Sequence, residues 1–146
     1  EEDAAWVEEN KLRIAAWFTV DDLNHLHRGG RLSKTSAVMG SMLGIKPVLF
    51  INEEGRLHPA AKVRGQKAAL TKLLDRMEQI GMDLKIQPIF ISHSDAMETV
   101  EIFIEMMSSR FGIKRENITT GFIGPIIGAH TGPGTIAVFF QATGRE

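Results

Sequence analysis

The sequence predicts an α/β fold of the α+β type, a mixed or antiparallel sheet covered by helices, and three observations carry that expectation. Short apolar runs recur at residues 14–20, 48–51, 86–92, 118–122 and 136–140, with the length and β-branched or aromatic content of strands. Two longer segments, 66–80 and the stretch after Asp95, instead space their apolar residues three and four apart, as helices do. The two kinds of segment intermingle without the strict strand–helix rhythm of a doubly wound sheet.

Taken in order, residues 4–12, with Trp6, Val7 and Leu12, read as a short helix without a strong cap. Residues 14–20 read as a buried strand, and Asp21 then caps a short helix that reaches His27 and is broken by Arg28-Gly29-Gly30-Arg31. Ser33 is a good N-cap for a further helix whose Val38, Met39, Met42 and Leu43 face inward, with Gly44 just past its end. Residues 48–51 and 56–63, joined by Asn52-Glu53-Glu54-Gly55, form a hairpin. Pro59 cannot donate to a ladder, so the second arm belongs at an edge or carries a bulge.

From residue 66 to 80, Leu70, Leu73, Leu74, Met77 and Ile80 line one helical stripe opposite Lys67, Lys72 and Asp75. Residues 86–92 read as a strand despite Pro88. Asp95 and Glu98 have the spacing of a capping box, opening a helix with Val100, Phe103, Met107 and Phe111 on one face and Gly112 at its end. Strands at 118–122 and 136–140 complete the set, with a glycine-rich turn at 128–134 between them.

At 146 residues the chain is long enough for one domain, 1–146, with a real core. A formal charge of −1, from 17 basic and 18 acidic residues, offers no global attraction to nucleic acid or an anionic membrane. The absence of cysteine excludes disulfides, thiolate metal sites and thiol catalysis. No apolar run approaches the roughly 18 residues of a membrane helix. The opening Glu1-Glu2-Asp3 is neither signal peptide nor initiator Met, so a soluble chain that begins inside a longer protein is expected.

The turn at 128–134 is the strongest functional signal, because it sets His130 among glycines and between apolar runs. The imidazole there either satisfies turn backbone groups or donates to a carboxylate or acyl phosphate, with Thr131 and turn N–H groups adding donors. Arg28, Arg31 and Arg64 are either solvated basic positions or a fork for an anion or acidic partner. Methionines such as Met39, Met42, Met77 and Met107 are core filler or the adaptable wall of a pocket for a long, shape-variable chain. His93, between a strand and a helix cap, reads as a satisfied buried histidine, and His25, His27 and His58 read as solvent-facing. The five histidines lack metal-ligand spacing, so no metal is expected, and no serine sits in a Gly-x-Ser-x-Gly elbow.

Two segments together point to a family: Val20-Asp21-Asp22-Leu23 through Arg28-Gly29-Gly30-Arg31-Leu32-Ser33 into Gly44-Ile45-Lys46-Pro47, and the closing residues 127–134. With Lys62-Val63-Arg64 and Ser92-His93-Ser94-Asp95-Ala96 in the same order, nearly the whole chain resembles the carboxy-terminal lobe of a DegV-family protein. Ala129 departs from the Thr that many members carry before the histidine. The resemblance implies a cytoplasmic, non-catalytic, two-lobed carrier that needs no cofactor. It binds one long-chain fatty acid near the lobe junction and presents the carboxyl to a separate fatty acid kinase, which makes an acyl phosphate.

On that resemblance His130 and Thr131 meet the carboxylate, and Met39, Met42, Leu43, Ile126 and Ile127 line the acyl pocket. The amino-terminal lobe is absent from this chain, and, apart from the resemblance, Arg28, Arg31 and Arg64 are candidates for docking a kinase or another acidic surface. Two other readings stay open: an enzyme using His130 as acid or base on a small acyl or phosphoryl substrate, and a pure protein-interaction lobe.

Overall fold

One six-stranded sheet presents two faces that are covered unlike one another. The computed structural model describes residues 1–32 and 44–146. The expected helix with Met39, Met42 and Leu43, and its Ser33 cap, lies outside the described residues. Helix α1 (Glu2–Asn10) buries none of its residues and passes through a short 3₁₀ turn into β1 (Ile14–Thr19). Next come α2 (Leu23–Arg28), β2 (Ile45–Ile51), β3 (Leu57–Arg64), α3 (Gln66–Ile80) and β4 (Ile89–Ser94). The chain closes with α4 (Met97–Phe111), β5 (Ile118–Phe122), α5 (Pro125–Thr131) and β6 (Thr135–Gln141). The strand order is β3-β2-β1-β6-β4-β5. Among the described strands only β4 and β5 pair in parallel, with α4 between them in sequence, so the sheet is mixed, one of the two arrangements expected.

Ala15, Trp17, Val48, Ile91 and Val138 point to one face and meet the apolar stripes of α3 and α4. That stripe on α3 is the expected one, Leu70, Leu73, Leu74, Met77 and Ile80, all buried. On α4, Val100, Phe103 and Met107 are buried with Ile104, and Phe111 is half-buried. Arg110 of α4 bridges to Asp75 at 2.7 Å and to Glu78, both on α3, which fixes the two helices side by side at their surface. On the opposite face Phe18, Val20 and Leu49 pack under Leu23 and Leu26 of α2 and under Leu32. α2 caps as expected at its start, except that Asp22 rather than Asp21 accepts from the Asn24 N–H, at 2.8 Å.

Three expectations need correction. The strand at 86–92 is displaced to Ile89–Ser94, because Pro88 has no N–H to give. The Gln87 side chain takes over instead: its amide donates to the Gln141 carbonyl at 2.9 Å and accepts from the Gln141 N–H at 2.6 Å, as strand backbone would. The capping box at Asp95 does not form. Asp95 has φ +49, Ala96 occupies the cap position, and the Ala96 N–H donates to Nδ1 of the buried His93 at 3.2 Å. His93 is thus a satisfied core histidine, as read. The third concerns His25 and His27, which are half-buried on α2, while His58 is exposed.

Pro59 behaves as the sequence requires in both respects. It lies in the edge strand β3, and the ladder with β2 shifts register between Val48 and Leu49, leaving Ala60 as the bulged residue. The core assignment has a direct check. Leu73→Ala, at a fully buried position of α3, should lower unfolding free energy in urea by about 2–5 kcal/mol. Exposed Ile102 changed to Ala should cost less than about 0.5 kcal/mol. Equal midpoints for the two variants would contradict the packing described.

Candidate functional site

The face that α3 and α4 do not cover is where unusual chemistry collects. α5 starts with Pro125 at its first turn, where the missing N–H costs nothing, and stops at Gly132, whose φ of +79 a helix cannot continue. His130 therefore sits in the last turn of a short helix and not in an irregular turn, a correction to the sequence reading. The glycines at 132 and 134, both with positive φ, do form a tight turn, and the Gly134 N–H bonds to the Ser94 carbonyl at 2.7 Å. This anchors the end of α5 to β4.

α5 packs beside α2. The His130 ring rests against Gly29, and the His25 ring rests against Gly132. The Asp21 carboxylate lies against Gly134 and pairs with Lys46 at 2.5 Å. Between these helices and the hairpin of β2 and β3 runs an open groove of about 740 Å³. Its floor is the sheet itself: Ala16 and Phe18 of β1, Ala137 and Phe139 of β6, and Ser92 of β4. The pairings Phe18 with Ala137 and Ala137 with Ser92 place small side chains on adjacent strands, which is what hollows the floor.

The groove's lip is apolar and uncovered. Phe122, Ile126 and Ile127 are 81%, 77% and 61% exposed, and Phe90 on the same face is about half exposed. Polar groups are few. His130 is half-buried in the lining, and among the described residues nothing hydrogen-bonds its ring. Thr131 is 7% exposed, and its Oγ1 is buried without a partner among the described residues. The neighbouring Thr135 hydroxyl, by contrast, donates to the Gly132 and Thr131 carbonyls. An unsatisfied buried hydroxyl costs about 1–3 kcal/mol, so this one marks a position that fits a ligand oxygen.

Of the residues singled out in the sequence, His130, Thr131, Ile126, Ile127 and Arg31 all line this groove. The Arg31 guanidinium donates to the Gly29 carbonyl at 2.9 Å, and Arg28 lies on α2 with Nη2 3.4 Å from Nδ1 of His25. Arg64 is not with them. It ends the edge strand β3, opposite Ile45, beside Lys67 and Lys72 on the other side of the molecule. Met39, Met42 and Leu43 fall outside the described residues. Sequence reasoning missed the floor residues Ala16, Ala137 and Ser92 and the basic Arg56 at the hairpin end. Two other hollows among the described residues, between α3 and α4 and between β3 and α3, have no histidine in their lining.

Fold and site define a class: an α/β lobe with one face sealed by helices and the other open around an apolar groove with a histidine and a buried hydroxyl in its lining. The family model described as "Uncharacterised protein, DegV family" matches residues 1–143, and the chain belongs to the DegV family. It is 46% identical over 142 residues to a DegV domain-containing protein of Clostridium perfringens, covering 97% of this chain and 48% of that protein.

Among solved structures it is similar to the fatty acid binding DegV family protein of Streptococcus agalactiae, at 33% identity and a TM-score of 0.77. That match covers 94% of this chain and 48% of the other. The Fatty Acid Kinase (Fak) B3 protein of Streptococcus pneumoniae, loaded with linoleic acid, shares the fold at a TM-score of 0.85 and 18% identity, covering 96% and 48%. The chain spans about half the length of the curated relatives it matches.

The orphaned hydroxyl can be tested by its effect on stability. Thr131→Val keeps the shape and removes the unsatisfied oxygen, so stability in denaturant should be unchanged or rise by about 1 kcal/mol. A loss of more than about 1 kcal/mol would mean that the hydroxyl is already satisfied.

Proposed function

We propose that this chain is the carboxy-terminal lobe, 1–146, of a non-catalytic carrier that binds one long-chain fatty acid, with the acyl chain in the open groove and the carboxylate at His130 and Thr131. The observation that carries the reading is the pairing of a half-buried imidazole and a buried, unpartnered Thr131 Oγ1 with a groove otherwise lined mainly by Ala, Phe, Leu and Ile. The names of relatives support it: the Streptococcus agalactiae protein is described as fatty acid binding.

The energetics fit an amphiphile. Burying a palmitate-sized tail at about 0.8 kcal/mol per methylene supplies on the order of 10 kcal/mol, enough to exceed ordering costs. A carboxylate in the same groove needs donors, because desolvating it unpaired costs several kcal/mol, and each charge-assisted bond returns about 1.5–3 kcal/mol. The tail sets affinity, and His130 and Thr131 set direction. Ile126 and Ile127, exposed at the groove's lip, lie where a second lobe would cover both them and the ligand.

The presentation step follows from that direction. A carboxyl held at the groove's rim is accessible to a fatty acid kinase, and the Fak B3 protein, a fold neighbour, carries that enzyme in its name. Arg28 and Arg31 lie close to the proposed carboxyl end and offer the kinase a basic edge there, whereas Arg64, on the other side of the molecule, takes no part in it. The kinase takes the phosphoryl step, so the carrier needs no nucleophile of its own, no metal and no cofactor.

Lipid extraction of the purified full-length protein followed by mass spectrometry should recover a long-chain fatty acid. No copurifying acid, together with no uptake of added oleate, would contradict the proposal. His130→Ala should weaken oleate retention about 10- to 100-fold, the worth of one charge-assisted bond; retention equal to wild type removes His130 from the site. Arg28→Glu, a charge reversal on α2 beside the proposed carboxyl end, should impair binding to the kinase and leave lipid content unchanged, and loss of lipid instead would defeat its docking role.

A further inference from the structure

Gly29 and Gly30 are adjacent, yet each is glycine for a different reason. Gly30 has φ +70, a left-handed conformation, and an added Cβ there would meet nothing within 4 Å. Its glycine serves the backbone. Gly29 has φ −76 and ψ 0, a right-handed conformation open to any residue. A Cβ built on it, however, would stand 2.1 Å from His130 Nδ1, 2.9 Å from its Cγ and 3.1 Å from its Cε1. Space demands the glycine at 29, and the three atoms nearest to that space all belong to the His130 imidazole.

We infer that Gly29 is a positioning residue for His130: its bare Cα is the seat on which the ring rests, fixing how the imidazole enters the groove. The inference deepens the proposed carboxylate role of His130 and rests on it for its functional consequence. Hydrogen bonds weaken steeply with misalignment, so a donor to a carboxylate has to be held in orientation as well as placed nearby. α5 supplies the placement; Gly29 supplies the orientation.

The seat is itself held in place. The Gly29 carbonyl accepts from Arg31 Nη1 at 2.9 Å, and the Gly29 N–H donates to the His25 carbonyl at 3.0 Å. α2 is fixed under the seat by buried Leu23 and Leu26. It is fixed again by the His25 ring, which lies so close to Gly132 that a Cβ there would be 2.7 Å from Cδ2. The two helices thus interlock through two ring-on-glycine contacts running in opposite directions. Gly132, at φ +79, would be glycine for its backbone alone, so only Gly29 isolates the effect of the ring's space.

Gly29→Ala separates fold from orientation, because the obstacle is a side chain with rotatable bonds and not backbone. In the full-length protein, nitrogen-15 spectra of the His130 imidazole are followed together with the affinities for oleate and for oleyl alcohol, which shares the tail but lacks the carboxylate. The variant should keep the backbone amide spectrum of the sheet, shift the His130 ring signals and weaken oleate about tenfold, with oleyl alcohol changed less than about twofold. On a His130→Ala background the same substitution should fold normally and add less than about twofold.

Ring signals and oleate affinity both equal to wild type would overturn the inference. So would a double variant that fails to fold, since the obstacle would then not be the ring. A shifted ring with unchanged oleate affinity would instead defeat the carboxylate role of His130 and leave Gly29 as the ring's seat.

Discussion

A six-stranded sheet has two apolar faces to remove from water, and the two long helices of this chain seal only one of them. α3 and α4 cover one face with continuous stripes of Leu, Ile, Met and Phe. The other receives α2 over β1 and β2 and the short α5 at its margin, which leaves the strip between as a groove. An exposed Phe122, Ile126 and Ile127 around that groove are costly in water unless something covers them. The proposed ligand and the proposed second lobe answer the same deficit.

The polar features of the groove gain meaning from that setting. Thr131 Oγ1 and the His130 ring are the groups to which a buried anion would turn, and both come from the last turn of one helix. α5 is itself placed by the Gly134 bond to Ser94 and by its pairing with α2. A site built on seven residues of helix would be loose without such supports. The reciprocal seating of His130 on Gly29 and His25 on Gly132 supplies them from the neighbouring element.

Much of this was legible in the residues. The stripe of α3, the hairpin with its bulged edge arm at Pro59, and the mixed sheet all follow from period, turn chemistry and the missing proline N–H. His93 was legible as a satisfied core histidine because it falls between a strand and a helix start. What stayed hidden depends on contacts between distant segments. The Gln87 amide substituting for strand backbone, Asp95 in the left-handed region and the half-burial of His25 have no local signature. The groove floor needs the registers of β1, β6 and β4, which align Ala137 beside Phe18 and Ser92. The two glycines of Arg28-Gly29-Gly30-Arg31 look alike in sequence, and only the position of the His130 ring separates them.

The central claim, that the imidazole of His130 meets the acidic end of a bound acyl chain, is tested most directly by nuclear Overhauser contacts to carbon-13-labelled oleate held by the full-length protein. The account predicts contacts from the His130 ring to the methylene beside the carboxyl, with Ala16 and Ala137 in contact with methylenes farther along the chain. Contacts from that ring to the terminal methyl, or none to the ligand at all, would contradict it.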